Sequence, residues 1–106
     1  MRIKEINDYY ILFDNGGILT YSHEQDCCEN NYADFKAIDD IAKACEFNEF
    51  LIFEEVAGSG FRFGNVGKMV FVPCYSEQNG YYSSMIEIIY NGERVTWVEC
   101  ELIEYD

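Results

Sequence analysis

The residues best suited to chemistry lie in one short run, Ser22-His23-Glu24-Gln25-Asp26-Cys27-Cys28-Glu29, which holds the sole histidine and two adjacent cysteines among three carboxylates. Three chemistries fit it. Asp26 followed three residues later by Glu29 has the spacing of a capping box, which ends the exposed N–H groups of a helix start. Cys27 and Cys28 would then occupy the first helical turn, where a thiol gains thiolate character. With His23 as base and Asp26 as orienting acid, either cysteine could act as a nucleophile. His23, Cys27 and Cys28 are also acceptable zinc ligands, although adjacent cysteines diverge and zinc sites normally separate them by two to four residues. The cap with buried thiols is the plainest of the three and needs no cofactor; zinc is the cofactor of the alternative.

The other acidic pairs read as solvated charge. Glu54 and Glu55, adjacent on a strand, point to opposite faces and cannot share a proton. Asp39 and Asp40 diverge by about 100° on a helix. Glu99 and Glu101 fall on one face of a final strand, roughly 6.6 Å apart from the strand rise. That approaches the phosphate spacing along a nucleic-acid strand, of order 7 Å. With Glu104 they form an acidic edge. Gly58-Ser59-Gly60-Phe61-Arg62-Phe63-Gly64 superficially resembles a phosphate loop, but no Gly-Lys-Ser/Thr follows and a strand stands where a helix should. A mobile hairpin loop is expected instead, with Phe61, Arg62 and Phe63 at its tip as a contact patch.

The elements that must position these groups are mostly strands. Strand patterns cover Ile3 to Ile6, Tyr9 to Phe13, Ile18 to Tyr21, Phe50 to Val56, Lys68 to Tyr75, Tyr82 to Tyr90 and Arg94 to Ile103. Asp14-Asn15-Gly16-Gly17, Glu77-Gln78-Asn79-Gly80 and Asn91-Gly92 are turns, the last a strong hairpin signal. Pro73 cannot donate to a ladder, which suggests an edge or a bulge. In the last strand Val98, Cys100 and Leu102 form the core face. Tyr32, Phe35, Ile38, Ile41, Ala42 and Cys45 recur at helical spacing after the Asp26 cap, with a break near Ala37 and a second start at Asp39-Asp40. The expected class is α+β: one domain over residues 1–106, with a twisted, mostly antiparallel sheet of six or seven strands and one helical segment packed on one face.

Composition bounds the partners. Twenty Asp and Glu against seven Lys and Arg give a formal charge of -13. Such a chain repels phosphate backbones and anionic membranes, so direct nucleic-acid and membrane binding are not expected. It attracts basic protein surfaces, including those that hold DNA or RNA. Five cysteines, an odd number, with no apolar leader point to reduced thiols in a cytosolic protein. Cys45, Cys74 and Cys100 sit among apolar neighbours and read as small hydrophobes.

The opening motif, together with Ile38-Asp39-Asp40-Ile41, Leu51-Ile52-Phe53-Glu54-Glu55 and Asn79-Gly80-Tyr81-Tyr82-Ser83, resembles a family of small uncharacterised proteins of bacteria and their phages. Its pattern reads H-x-Q-D-C-C-E early and S-N-G-Y-Y-S late, and Gln78 stands where the late motif has serine. The resemblance implies a compact cytosolic domain of no established function. It also suggests that the two motifs meet, bringing Tyr81, Tyr82 and Ser83 near Cys27 and Cys28. The functional expectation is a non-enzymatic module. It would be a phage-type inhibitor acting in the host cytosol, binding a basic groove through Asp39, Asp40, Glu99, Glu101 and Glu104 by nucleic-acid mimicry. The alternatives are the metal- or thiol-dependent domain and a homodimer joined through an edge strand near Pro73.

Overall fold

The computed structural model describes residues 1–22, 30–80 and 83–104. Ten strands are found among them: β1 (Ile3–Ile6), β2 (Tyr10–Phe13), β3 (Ile18–Ser22), β4 (Asn30–Ala33), β5 (Ile52–Val56), β6 (Gly60–Asn65), β7 (Lys68–Gln78), β8 (Met85–Tyr90), β9 (Glu93–Glu99) and β10 (Glu101–Glu104). A 3₁₀ turn (Phe35–Ile38) leads into the single turn of α1 (Asp39–Ala42) between β4 and β5. The described residues are therefore mostly β with one short α-helix. Their strands form two five-stranded sheets where the sequence suggests one sheet of six or seven. One runs β1-β2-β3-β8-β9; the other runs β10-β7-β6-β5, with β4 also paired to β7. All pairings are antiparallel except β10 with β7. No helix among the described residues is long and apolar enough to cross a membrane.

Strand alternation explains the core. Ile11 and Phe13 of β2, Leu19 of β3, Ile86 and Ile88 of β8 and Val98 of β9 are buried, as are Phe61 and Phe63 of β6 and Val70, Val72 and Cys74 of β7. Every second residue of these strands points inward, so two half-apolar sheets close over one another. Phe13 is the junction: its ring meets Phe63 edge-on at 6.2 Å, Phe47 at 6.4 Å and Tyr90 at 6.0 Å. Phe35, Ile38 and Ala42 seal one end.

Four expectations need correction. Asn30–Ala33 form a strand on β7, not the first turns of a helix. Asn31 and Ala33 are buried by alternation, and a four-residue segment is too short to separate the two periods, so pairing with β7 decides. The second start, at Asp39, is helical, and the Asp26 start lies outside the described residues. The supposed loop at Phe61-Arg62-Phe63 is strand β6: both rings are fully buried, and Arg62 points outward to pair with Glu54. Pro73 lies in a strand paired on both sides. Its carbonyl accepts from the Asp34 N–H at 2.8 Å, and the reciprocal bond is the one proline cannot make, so β4 ends there. The last strand is two. The chain leaves one sheet after Glu99 and joins the other at Glu101, with buried Cys100 at the corner. Leu102, expected in the core, is exposed.

Two glycines let β6 lie against β7. Gly60 and Gly64 hold φ of 155° and 148°, and a Cβ would come within 2.1 Å of the Val72 and Lys68 carbonyl oxygens respectively. Gly64→Ala combines backbone strain with a clash against main chain that cannot rotate away. It should lower the unfolding free energy by about 3 kcal/mol or more in a denaturant titration. A loss under about 1 kcal/mol would mean that β6 can shift off β7 freely.

Candidate functional site

The residues that organise the sequence motif, His23, Asp26, Cys27, Cys28 and Glu29, and Tyr81 and Tyr82 of the late motif, lie outside the described residues. So does the zinc alternative on His23, Cys27 and Cys28. Their described flanks do meet. Asn31 Nδ2 donates to the Ser83 carbonyl at 2.8 Å, Ser76 Oγ donates to Asn31 Oδ1 at 2.5 Å, and Gln78 Nε2 donates to Ser76 Oγ at 2.6 Å. Asn31, Ser76 and Gln78 are buried, so this network satisfies polar groups that would otherwise be costly to enclose. It fixes β4 onto β7.

Among the described residues no three His, Cys, Asp or Glu gather as metal ligands. Cys45, Cys74 and Cys100 are free thiols. Cys74 and Cys100 are buried as the sequence suggests, at neighbouring positions of β7 and the start of β10. Contact with Cys100, then burial, pushes the Cys74 thiol up, so it is an inert hydrophobe at neutral pH.

The acids of the expected binding face fall on separate elements. Asp39 and Asp40 belong to α1, and Asp39 pairs with Lys43 at 3.0 Å. Glu99 and Glu101 are exposed on either side of the Cys100 corner, in different sheets, so they do not form the continuous strand row envisaged. Glu55 joins them: its Oε2 accepts the Glu99 N–H at 2.7 Å. The side chain of Glu104 lies outside what is described.

Two hollows flank the helical segment. One, of about 490 Å³, lies between Ile38, Ile41 and Cys45 and the outer face of β7 at Met69, Phe71 and Pro73. It is apolar. The other, of about 270 Å³, is walled by Asp8, Tyr9, Tyr21, Asn30, Tyr32 and Asp34. Strand alternation places each wall. Tyr21 leaves β3 and packs on Phe35 at 5.8 Å; Tyr32 leaves β4 and packs on its cross-strand partner Tyr75 at 5.8 Å. Tyr32 Oη donates to Glu77 Oε1 at 3.1 Å. Asp8 sits in the β1–β2 turn, where Lys36 approaches it at 3.7 Å. Asp34 precedes the 3₁₀ turn but makes no side-chain cap to it. Burial, then the neighbouring Tyr9 and Asp8, pushes the Tyr21 phenol up. Burial, then the hydrogen bond to Glu77 and its charge, pushes Tyr32 up to about 12.

Sequence reasoning missed this hollow. It placed Tyr32 on a helix stripe and gave Asp8, Tyr9, Tyr21 and Asp34 no role. The available signal was a carboxylate within two residues of a tyrosine, at Asp8-Tyr9 and again at Tyr32-Ala33-Asp34, in a chain with nine tyrosines.

A family model described as a domain of unknown function, DUF7448, matches residues 1–88. The chain belongs to the DUF7448 family. No curated protein and no solved structure matches it. The residues of the tyrosine hollow all fall within the matched span, whereas Glu99, Glu101 and Glu104 lie beyond it.

The raised Tyr32 phenol has a sign that can be checked. Its folded value exceeds the ordinary value of 10.0, so its contribution to stability is intact below about pH 10 and is lost as pH rises toward 12. Subtracting the alkaline ultraviolet titration of Tyr32→Phe from that of the parent chain should leave one phenol with a midpoint near 12. A midpoint near the ordinary value would show that Tyr32 is solvated.

Proposed function

We propose that this chain is a non-enzymatic, acidic protein-binding module that occupies a basic surface of its partner. The observation that carries this reading is how the charges are spent. Of the seven cations, Arg2, Lys36, Lys43 and Arg62 face carboxylates of the chain itself. Arg94 lies over the Trp97 ring at 5.0 Å, and Lys68 donates to the Glu46 carbonyl. Six of the seven cations are thus engaged internally, while Asp40, Glu55, Glu99 and Glu101 stand exposed. The surplus of negative charge faces solvent, where it steers basic partners and repels nucleic acid.

Basic grooves that hold DNA or RNA are the surfaces such a field fits best. The reading therefore extends to competitive occupancy of a nucleic-acid-handling machine, as a phage-encoded inhibitor of a host defence would achieve in the host cytosol. The early and late sequence motifs, which resemble those of phage and bacterial proteins, support that extension. Asp39, Asp40, Glu99, Glu101 and Glu104 are the acids assigned to the contact.

The test begins with host proteins that a nucleic-acid column retains, from which a partner is isolated and titrated with this chain. Binding should weaken about tenfold or more between roughly 50 and 300 mM salt, and nucleic acid should compete. The combined Asp39→Asn, Asp40→Asn, Glu99→Gln and Glu101→Gln variant should bind more slowly and more weakly. Affinity indifferent to salt and to these changes would defeat the reading.

A further inference from the structure

We propose that the hollow walled by Tyr9, Tyr21, Tyr32, Asp8 and Asp34 is the seat of a guanidinium group, supplied by an arginine side chain of the partner. This rests on the protein-binding reading above and gives it a site.

The size comes first. At about 270 Å³ the hollow falls just below the range that takes drug-sized ligands, and it suits the end of one long side chain. The chemistry of its walls comes next. Aromatic faces with carboxylates at the rim attract an organic cation, the rings through their quadrupoles and the acids through charge. The phenols of Tyr21 and Tyr32 stay protonated at neutral pH, so these walls add aromatic surface without adding charge. Their positions are held by Phe35 and Tyr75, so little order has to be created on binding. A guanidinium is planar, stacks on rings and sheds water more readily than an ammonium, which favours arginine over lysine here.

Two further observations point the same way. Asp34 heads a 3₁₀ turn yet does not cap it, which leaves its carboxylate available to a ligand. Lys36 already approaches Asp8, at 3.7 Å and with both side chains largely exposed. Such a loose surface pair is weak and displaceable, and it shows the rim attracting a cation from the chain itself. Lys36 is thus a built-in competitor of the incoming arginine.

The full chain is titrated with hexa-arginine, hexa-lysine and arginine amide by calorimetry. Hexa-arginine should bind about threefold or more tightly than hexa-lysine. Tyr9 is 71 % exposed, so Tyr9→Ala should leave the fold intact and weaken hexa-arginine about threefold. Asp34→Asn should weaken it about fivefold. Lys36→Gln should tighten it about twofold, a gain that misfolding cannot mimic. If Tyr9→Ala and Asp34→Asn change nothing while Glu99→Gln with Glu101→Gln removes binding, the hollow is not the seat and the acidic-module reading survives. If hexa-arginine does not bind at all, both fall. Equal affinity for the two hexapeptides would overturn the choice of guanidinium. Arginine amide binding as tightly as hexa-arginine would replace the protein partner with a free small molecule.

Discussion

The backbone of β7 carries this fold. Its first half pairs with β6, and its second half lies between antiparallel β4 and parallel β10. Enclosed peptide groups must find partners, so each neighbour is held at a defined register. The inward row of β7 begins as Val70, Val72 and Cys74 and continues as Ser76 and Gln78. At that switch from apolar to polar the core needs hydrogen-bonding partners, and Asn31 and the Ser83 carbonyl provide them. A one-residue slip of β4 would send Asn31 to the surface and break the network. Tyr32 and Asp34 are positioned by the same register. The wall of the tyrosine hollow is therefore set by a buried hydrogen-bond network, which gives a surface site the rigidity of a core.

Charge pulls on this arrangement in two directions. A formal charge of -13 on 106 residues makes the compact state repel itself. The interior that opposes this repulsion is almost wholly apolar, with interlocked rings at Phe13, Phe47, Phe61 and Phe63. Added salt screens self-repulsion and attraction to a basic partner alike. It should thus steady the free protein while loosening any complex, a combination that separates electrostatic docking from unfolding.

Much of the sheet was legible because alternation and turn residues are local signals. Ile3–Ile6 is read without error, and Asn91 holds the positive φ of 53° that its hairpin turn requires. What stayed hidden was non-local. Glycines at 58, 60, 64 and 67 suggested a loop, but two of them mark close approach to a neighbouring strand. The run from Tyr32 to Cys45 satisfies a helical period, and only pairing with β7 shows that its start is extended. The break at Cys100 comes without proline or glycine, since a buried thiol fits a corner between sheets as readily as a strand interior. The hollow was invisible for the same reason. Its walls come from the β1–β2 turn, β3, β4 and the head of the 3₁₀ turn, spread over residues 8 to 35, wider than the roughly 11 to 18 residues over which periodicity is read.

The pairing of β3 with β8 joins Leu19 to Tyr90, from opposite ends of the chain. The β1–β2–β3 and β5–β6–β7 meanders and the β8–β9 hairpin can each form from neighbours in sequence. The β3–β8 ladder cannot, because it must first close a loop spanning most of the protein. Folding is thus expected to be slow for a chain of this length, on the scale of milliseconds to seconds, with the joining of the first sheet as a late event. Until then β8 presents an unpaired edge of Ile86, Ile88 and Ile89, and during that interval the acidic surface gives the chain its protection: molecules of like charge keep apart long enough for each to close on itself.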